Sequence, residues 1–543
     1  MLMTSTCIPY THVPHSTALL TDYLYHYDRV SPFYSGSPYD PQSYQAVAAQ
    51  IRKSVLARSE LADVLTRQNQ AFGCSEPTLA NIQRLKEPET FAIVTGQQVG
   101  LFSGPAFTLY KALTTVRLAK SLTEQGLPCV PVFWLATEDH DLEEVSQSAT
   151  FDEEFNVVPL RDSGNRPSSR SPVGEVRHTA EIVAALDQME KVLPDGEPRS
   201  MLLRDLRECY VPGATWGQSF ARFMTRLFGR WGVILIDPLD EPVHRLSSRI
   251  YRQAVVEAEQ LRTGVLEGSR ALVQHGYHAQ VHVVEDSTLV FVTRHGDRLA
   301  LHQRDGKFLI DGKEEIASSE LQSLLAEHPL DFSPNVLLRP LVQDSLLPTL
   351  AYVAGPSELA YLGQAHSLYG ALGRPQPVIF PRAAFTLLDS RSERLMEKYK
   401  LSLGDVWQGE EHLSQKIAAT GYAEGWSERF DQGERELEQL LSRLQGDIEK
   451  LDPTLLDTLQ HVKEKMKYQM ERMRGKLSRA ALSRSDLLVR HVQALSRFLL
   501  PHKDLQERRV GGAYFLGRAG YGLLDRVLEH IQVRCSDHQT LRF

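Results

Sequence analysis

The apolar residues of this chain fall into three patterns. Four short runs are apolar at nearly every position: residues 91–94, 130–136, 231–238 and 378–380. Runs of this kind suit parallel strands buried on both faces. Between the first two, Leu109, Ala112, Leu113, Val116 and Ala119 recur at helical spacing, and Gly126 stands where that helix would end. Strand, Gly-rich loop, helix and strand make a βαβ unit, so the expected class is α/β with a parallel sheet.

The second pattern is alternation. Over residues 279–313, Val281, Val283, Leu289, Phe291, Leu299, Leu301, Phe308 and Ile310 show strand periodicity. Asp305-Gly306 and Asp311-Gly312 are hairpin turn signals. This predicts a small antiparallel β meander inserted into the α/β core. The third pattern is heptad-like. From about Glu424, Phe430, Leu437, Leu441, Leu444, Ile448 and Leu451 recur at 3–4 spacing. After a turn at Asp452-Pro453 the spacing resumes through Leu455, Leu459, Val462, Met466, Met473 and Leu477. Two such helices predict an antiparallel coiled-coil hairpin.

Punctuation divides the rest. Residues 1–85 open with a Pro/Tyr/Ser-rich lead, and a helical stretch over 43–72 is expected to pack onto the core. The core is expected over 86–400, with insertions near 146–210, which is polar and rich in Pro, Gly and Ser, and near 265–332. The helical coiled-coil domain is expected over 401–505. Residues 506–543, with Gly511, Gly512, Gly517, Gly520 and Gly522, cannot continue a coiled coil and are expected to return to the body.

Composition narrows the partners. A length of 543 residues suits several structural units. The net charge of -8 argues against nucleic acid as the main partner. Five scattered cysteines without a CxxC pair indicate neither a disulfide framework nor a thiolate zinc site. No run reaches membrane-spanning length, and residues 1–20 lack a basic stretch followed by an apolar one. The expectation is a cytoplasmic protein with no membrane partner.

Two polar constellations follow strand ends, where α/β sheets bind ligands. The first is the loop 95–105 (TGQQVGLFSGP). Its glycines let backbone approach a ligand, and its adjacent Gln97 and Gln98 offer donors and acceptors. The tight-turn explanation of the glycines stands beside this one. The second is Glu138-Asp139-His140-Asp141, with Glu143 and Glu144 behind. A histidine flanked by carboxylates can act as a base. Such carboxylates are also of the kind that hold Mg²⁺ beside a nucleotide, although no residue is assigned as a metal ligand and the need for Mg²⁺ stays open. An acidic first turn of a helix accounts for Glu143 and Glu144. A third candidate region contains Arg339, Gln343 and Asp344, then Gly355-Pro356-Ser357-Glu358 and Tyr361. Ser357 reads as a helix cap, and Arg339 and Arg382 could pair with a substrate carboxylate or with surface acids.

Several stretches together resemble the cysteine-adding ligases of bacillithiol biosynthesis: loop 95–105, the helix carrying Lys111, residues 131–136 (PVFWLA) and Glu138 to Asp141. Further along the chain come 333–340 (SPNVLLRP), Gln343-Asp344, Gly355-Pro356, Glu358, Ala360-Tyr361, Pro381-Arg382 and the coiled coil. The resemblance runs in order along almost the whole chain. It implies a Rossmann-like core with connecting insertions and a coiled-coil domain that supports a homodimer. It also implies amide formation between the carboxyl of cysteine and the amino group of glucosaminyl-malate, the last step of bacillithiol synthesis. Gln97, Gln98, Gly100, Ser103, Thr108, Lys111, Arg339, Ser357, Glu358, Tyr361 and Arg382 are then the expected substrate-binding set. Glu138, Asp139, His140 and Asp141 are the expected catalytic set, with His140 as base. The resemblance further implies an adenine nucleotide (ATP or ADP), held apart from the core pocket around Arg508, Gly511, Tyr514 and Tyr521.

Activating a carboxyl for amide formation normally requires a nucleotide, yet the chain has no HIGH signature. Lys476-Leu477-Ser478-Arg479 falls within the coiled-coil pattern rather than in a KMSKS-type loop. Two other readings fit the same residues: a nucleotide-dependent ligase or transferase acting on another amino-sugar acceptor, and a non-catalytic nucleotide-binding dimer scaffold.

Overall fold

A computed structural model describes residues 7–421, 426–535 and 537–543. The expected start of the coiled coil at Glu424 lies outside the described residues. The chain forms two compact units. The first comprises residues up to Asp152, Val157–Thr386 and Glu507–Leu541; the second comprises Glu153–Asn156, Leu387–Gln506 and Arg542–Phe543. The core unit therefore ends at Thr386 rather than at 400. The reason is that helix Ser390–Lys398 packs on Asp486–Leu499 of the helical unit.

The first unit runs through α1 (Pro41–Ile51), α2 (Arg58–Ala71), β1 (Phe91–Gln97), α3 (Phe107–Glu124), β2 (Cys129–Leu135), β3 (Ile234–Ile236) and α4 (Glu241–Val256). Strands β4 (Ser287–Arg294), β5 (Asp297–Arg304), β6 (Lys307–Ile310), β7 (Glu314–Ile316) and β8 (Phe332–Pro334) follow. Then come α5 (Arg339–Leu346), β9 (Thr349–Ala354), α6 (Pro356–Gln364) and β10 (Val378–Pro381). The helical stretch expected over 43–72 is made of two helices, α1 and α2, with non-helical backbone at Ala57 before α2.

Five strands form a parallel sheet in the order β10-β9-β1-β2-β3. The chain first builds β1, β2 and β3 in one direction. It then returns to place β9 and β10 on the other side of β1. Ligands bind at such a reversal, outside the carboxyl ends of the strands. Every residue of β2 is buried, as its apolar run requires, and so is every residue of β9, which no apolar run had marked. Tyr44, Val47 and Ile51 of α1 pack with Phe91, Ile93, Leu118, Leu122, Val353 and Phe380 in one cluster. Cys129 is buried there as well, as core packing.

Strand β3 lies at an edge, where backbone groups lack a neighbour strand. Helix α2 supplies the missing partners. The Asn69 amide accepts from Leu235 N at 3.0 Å and donates to Leu235 O at 2.8 Å. Gln68 does the same for Asp237, at 3.1 and 3.0 Å. Two amide side chains thus behave as a short strand.

The inserted antiparallel sheet has the order β7-β6-β5-β4-β8. Its turns sit at His295-Gly296, Asp305-Gly306 and Asp311-Gly312, all with positive φ at both positions, as tight hairpin turns need. The first strand starts at Ser287, not near Val281. Residues 279–286 carry no strand, so the apparent alternation of Val281 and Val283 belongs to a connecting segment.

In the second unit, α7 (Glu410–Gly421) precedes α8 (Trp426–Leu451) and α9 (Leu456–Leu482), which form the coiled-coil hairpin. Asp452 caps the turn, accepting from Thr454 N. Lys476 to Arg479 lie inside α9, so they form no loop. Ala418 of α7 packs with Phe430 and Leu477 at the base of the hairpin. Further out, among the described residues, only Leu441 is buried, and Leu444, Leu451, Leu455, Val462, Met466 and Met473 are exposed. Two helices alone cannot cover all of a heptad seam. Among the described residues, no helix is long and apolar enough to cross a membrane.

Candidate active site

A cavity of about 710 Å³ opens at the carboxyl edge of the parallel sheet. Its walls come from the ends of β1, β2, β9 and β10, from α5 and α6, and from the inserted sheet. Gln97, Gln98, Lys111, Glu138, Asp139, His140, Arg339, Ser357, Glu358, Tyr361 and Arg382, all singled out in the sequence, line this one space.

Strand β1 continues through Thr95, Gly96 and Gln97, although the sequence marks these as loop. Gly96 is needed because a Cβ there would lie 3.1 Å from Trp134 O and 3.4 Å from the Tyr352 hydroxyl. The extension delivers Gln97 and Gln98 to the cavity. Both glutamines are already engaged. Gln97 Oε1 accepts from Lys111 Nζ at 3.0 Å, and Gln98 Nε2 donates to Asp139 Oδ2 at 2.7 Å and Glu144 Oε2 at 2.8 Å.

Lys111, from α3, is buried beneath this layer. Its ammonium reaches Glu358 Oε2 at 2.5 Å and donates to Gly96 O at 2.6 Å. Burial pulls its pKa below the usual lysine range, and Glu358 opposes that pull. Glu358 also accepts from Gly355 N at 2.7 Å and from the Tyr352 hydroxyl at 2.8 Å. The first bond caps α6, so Gly355 is the cap position and Ser357 is not. Ser357 is instead exposed on the cavity rim.

Arg382 is a buried cavity residue, and Arg339, half-buried, lines the same cavity. They differ in partner. Arg382 meets Glu507 Oε1 at 2.7 Å, both side chains being almost fully buried. Arg339 binds neutral acceptors, Gln343 Oε1 at 3.1 Å and the Tyr352 hydroxyl at 3.3 Å. No carboxylate among the described residues lies within salt-bridge distance of it.

The Glu138–Asp141 cluster divides in two. Asp139 Oδ1 accepts from the backbone N of His140 at 2.7 Å and of Asp141 at 3.2 Å. Asp141 lies outside the cavity wall and caps the short helix Leu142–Val145. Neither flanking aspartate orients the His140 ring; Asp139 Oδ1 is 3.8 Å from Nδ1. Arg298 of β5 does so, with Nη1 3.1 Å from His140 Nδ1. Arg298 is itself fixed by Ser333 Oγ, Pro334 O and the Phe291 ring. A guanidinium can only donate. Nδ1 is therefore the acceptor, the neutral ring carries its proton on Nε2, and His140 has no free basic nitrogen.

Three further expected residues lie in the packed interior. Gly100, Ser103 and Thr108 are buried outside the cavity wall. A Cβ at Gly100 would come within 2.8 Å of Gly104 Cα, so the tight-turn account of this glycine holds. The residues expected to hold a nucleotide have these settings. Arg508 lines the core cavity. Gly511 donates its N–H to Ala149 O, Tyr514 packs edge-on against Phe151, and the Tyr521 hydroxyl donates to Asp205. Tyr514 N also donates to Gly511 O at 3.1 Å, so these two share one turn.

Sequence reasoning missed Arg298, Phe291, Trp134, Tyr352 and His244. Trp134, inside an apolar run, and Tyr352, just before Gly355, stood near flagged motifs.

The fold and this charged cavity define a Rossmann-like protein with a site at its topological switch point and a coiled-coil unit. Residues 3–383 match the family model described as "Bacillithiol biosynthesis BshC, N-terminal Rossmann-like domain". Residues 385–543 match "Bacillithiol biosynthesis BshC, C-terminal coiled-coil domain". The chain is 36% identical over 537 residues to a protein of Koribacter versatilis, covering 99% of each chain. It is 36% identical to one of Solibacter usitatus, covering 99% of this chain and 100% of the relative, and 33% identical to one of Salinibacter ruber, covering 96% of each. All three relatives carry the name "Putative cysteine ligase BshC". The chain belongs to the BshC family of bacillithiol biosynthesis.

Proposed function

We propose that this chain joins the carboxyl of cysteine to the amino group of glucosaminyl-malate in this cavity, forming an amide as the last step of bacillithiol synthesis. Arg339 carries the reading. It is a half-buried guanidinium lining the cavity with no carboxylate within salt-bridge distance among the described residues, and a charge held this way gains from an incoming carboxylate. Both reactants bring carboxylates, and malate brings two. The carboxylates Glu138, Asp139 and Glu358 in the same wall suit the amine-bearing parts of the reactants.

His140 acts here as a hydrogen-bond donor through Nε2 rather than as a base. An adenine nucleotide is the expected source of carboxyl activation, and no step is assigned to it. Purified protein incubated with glucosaminyl-malate, cysteine and single nucleotides should yield the product mass with at least one of them. Unchanged bacillithiol in cells lacking the protein would instead favour another amino-sugar acceptor. The same reading includes a homodimer, supported by the exposed apolar row on α8 and α9.

A further inference from the structure

The deepest carboxylate of the cavity is Glu138, at the carboxyl end of β2 and only 6% exposed. Its Oε1 lies 3.4 Å from Nε2 of His244 on α4, itself 3% exposed. That is an ion-pair distance rather than a good hydrogen bond, and neither atom has a hydrogen-bond partner among the described residues. The other ring nitrogen, His244 Nδ1, lies 3.2 Å from Pro329 O. A carbonyl can only accept, so Nδ1 carries a proton. A neutral ring would then aim the lone pair of Nε2 at a carboxylate. The contact is attractive only with a second proton between the two groups.

The surroundings decide where that proton sits. Arg298 from β5, Asp139 after β2, Asp237 after β3 and Tyr251 of α4 are the charged and titratable groups facing the pair. The Tyr251 ring stacks on His244 at 6.1 Å. Burial works against an imidazolium, yet Glu138 outweighs it and the His244 pKa rises above its ordinary value of 6.5. With Nδ1 donating to Pro329 O, the 3.4 Å contact is attractive as carboxylate and imidazolium. Glu138 thus stands in the cavity wall against a counter-ion set too far away for a good bond.

We infer that Glu138 anchors a primary-ammonium subsite in the cavity, and that His244 is its resident counter-ion, which releases a proton when a cationic amine binds. The inference rests on reading this cavity as the site of an amine-bearing substrate. Proton balance is simple. The amine arrives as R–NH₃⁺ and pairs with the Glu138 carboxylate. His244 passes from imidazolium to imidazole, keeping its Nδ1 proton on Pro329 O, and the Nε2 proton leaves to solvent. The net charge around Glu138 is unchanged. The subsite accepts primary ammonium groups and disfavours acylated amines, which bring no charge to replace that of His244.

The test follows the ¹⁵N-histidine signals of the full-length protein by NMR, with His244 assigned from a His244→Gln variant. Without ligand, Glu138→Gln should lower the His244 titration midpoint by about one pH unit or more; an unchanged midpoint overturns the pairing. Glucosamine should lower the midpoint in the wild type, and N-acetylglucosamine should not. Equal effects of the two sugars, or no effect of either, overturn the subsite. Glucosaminyl-malate is then titrated by calorimetry in buffers of different ionisation enthalpy. Proton release should appear in the wild type and vanish in His244→Gln, with Glu138→Gln binding at least tenfold more weakly. Release that persists in His244→Gln overturns the role of His244. If glucosamine shifts His244 but glucosaminyl-malate binds no better than glucosamine, the subsite stands and the acceptor reading falls.

Discussion

Arg298 and His140 are 158 residues apart in sequence, yet Arg298 Nη1 lies 3.1 Å from His140 Nδ1. The contact ties the inserted sheet to the carboxyl edge of the parallel sheet. It also sets the chemistry of the imidazole. Burial, then the Arg298 charge, lowers the His140 pKa below 6.5, against the pull of Asp139 and Asp141. Arg298→Met should therefore move the His140 titration upward, measured by ¹⁵N-histidine NMR. A midpoint that stays or falls would show that the guanidinium does not govern this ring. His140→Gln, which keeps a side-chain donor, should retain more cysteine-adding activity than His140→Phe.

The two cavity arginines separate binding from stability. Arg339→Met removes a charged donor with no protein carboxylate, so the expected loss is in substrate affinity. Hydrogen bonds to charged groups contribute about 1.5–3 kcal/mol, or about 10- to 150-fold in affinity. Arg382→Met strands Glu507 as a buried, unpaired carboxylate, and breaking such a pair costs about 3–5 kcal/mol of stability. Calorimetric binding of glucosaminyl-malate and urea denaturation of both variants should show this split. Equal stability losses in the two would remove the case for Arg339 as the carboxylate anchor.

Legibility in the sequence followed the range of the interaction. Four strands of the parallel sheet were visible because burial on both faces demands apolar residues at nearly every position, as in β2; the fifth, β9, was not, since Thr349 and Tyr352 interrupt its apolar run. Gly96 and Gln97 hid the end of β1, since neither favours a strand; their place is set by pairing with Trp134 and Leu135. The cavity's position was legible because Glu138 and Gln97 follow strand ends. The partners within it were not. Asp141 reads as an active carboxylate but is spent on a local cap, and Ser357 reads as a cap but is not one. Arg298 and His244 carry no local signal at all, because folding of the insertion and of α4 brings them to the site. Asn69 illustrates the same limit in the fold: nothing around it in sequence announces that it completes an edge strand.

The coiled-coil hairpin should pair with a second copy. Its outer positions Leu444 and Met466 are 42% and 43% exposed, on a seam whose periodicity calls for cover. Leu444→Glu with Met466→Glu should convert a dimer to a monomer by light scattering, with helical circular dichroism retained. A monomeric wild type, or a dimer unaffected by the double change, removes this seam as the interface.

Asp344 supports Arg339 from behind, and its protonation should be visible in stability. Its Oδ1 accepts from Gln343 Nε2 at 2.9 Å and its Oδ2 from the Tyr369 hydroxyl at 2.8 Å, while Gln343 Oε1 accepts from Arg339. Burial pushes the Asp344 carboxyl up to about 6, against the pull of these donors. A carboxyl raised in the folded state binds its proton more tightly there than in the unfolded chain. Its contribution is complete below the unfolded value near 4 and is lost as pH rises through about 6. Asp344→Asn keeps an oxygen for one donor and carries no charge to bury. It should match the wild type near pH 4 and exceed it by about 2–3 kcal/mol at pH 8. Urea denaturation at the two pH values measures the difference. A variant less stable than the wild type at pH 8 would mean that the second hydrogen bond, which the amide cannot accept, outweighs the cost of burying the charge.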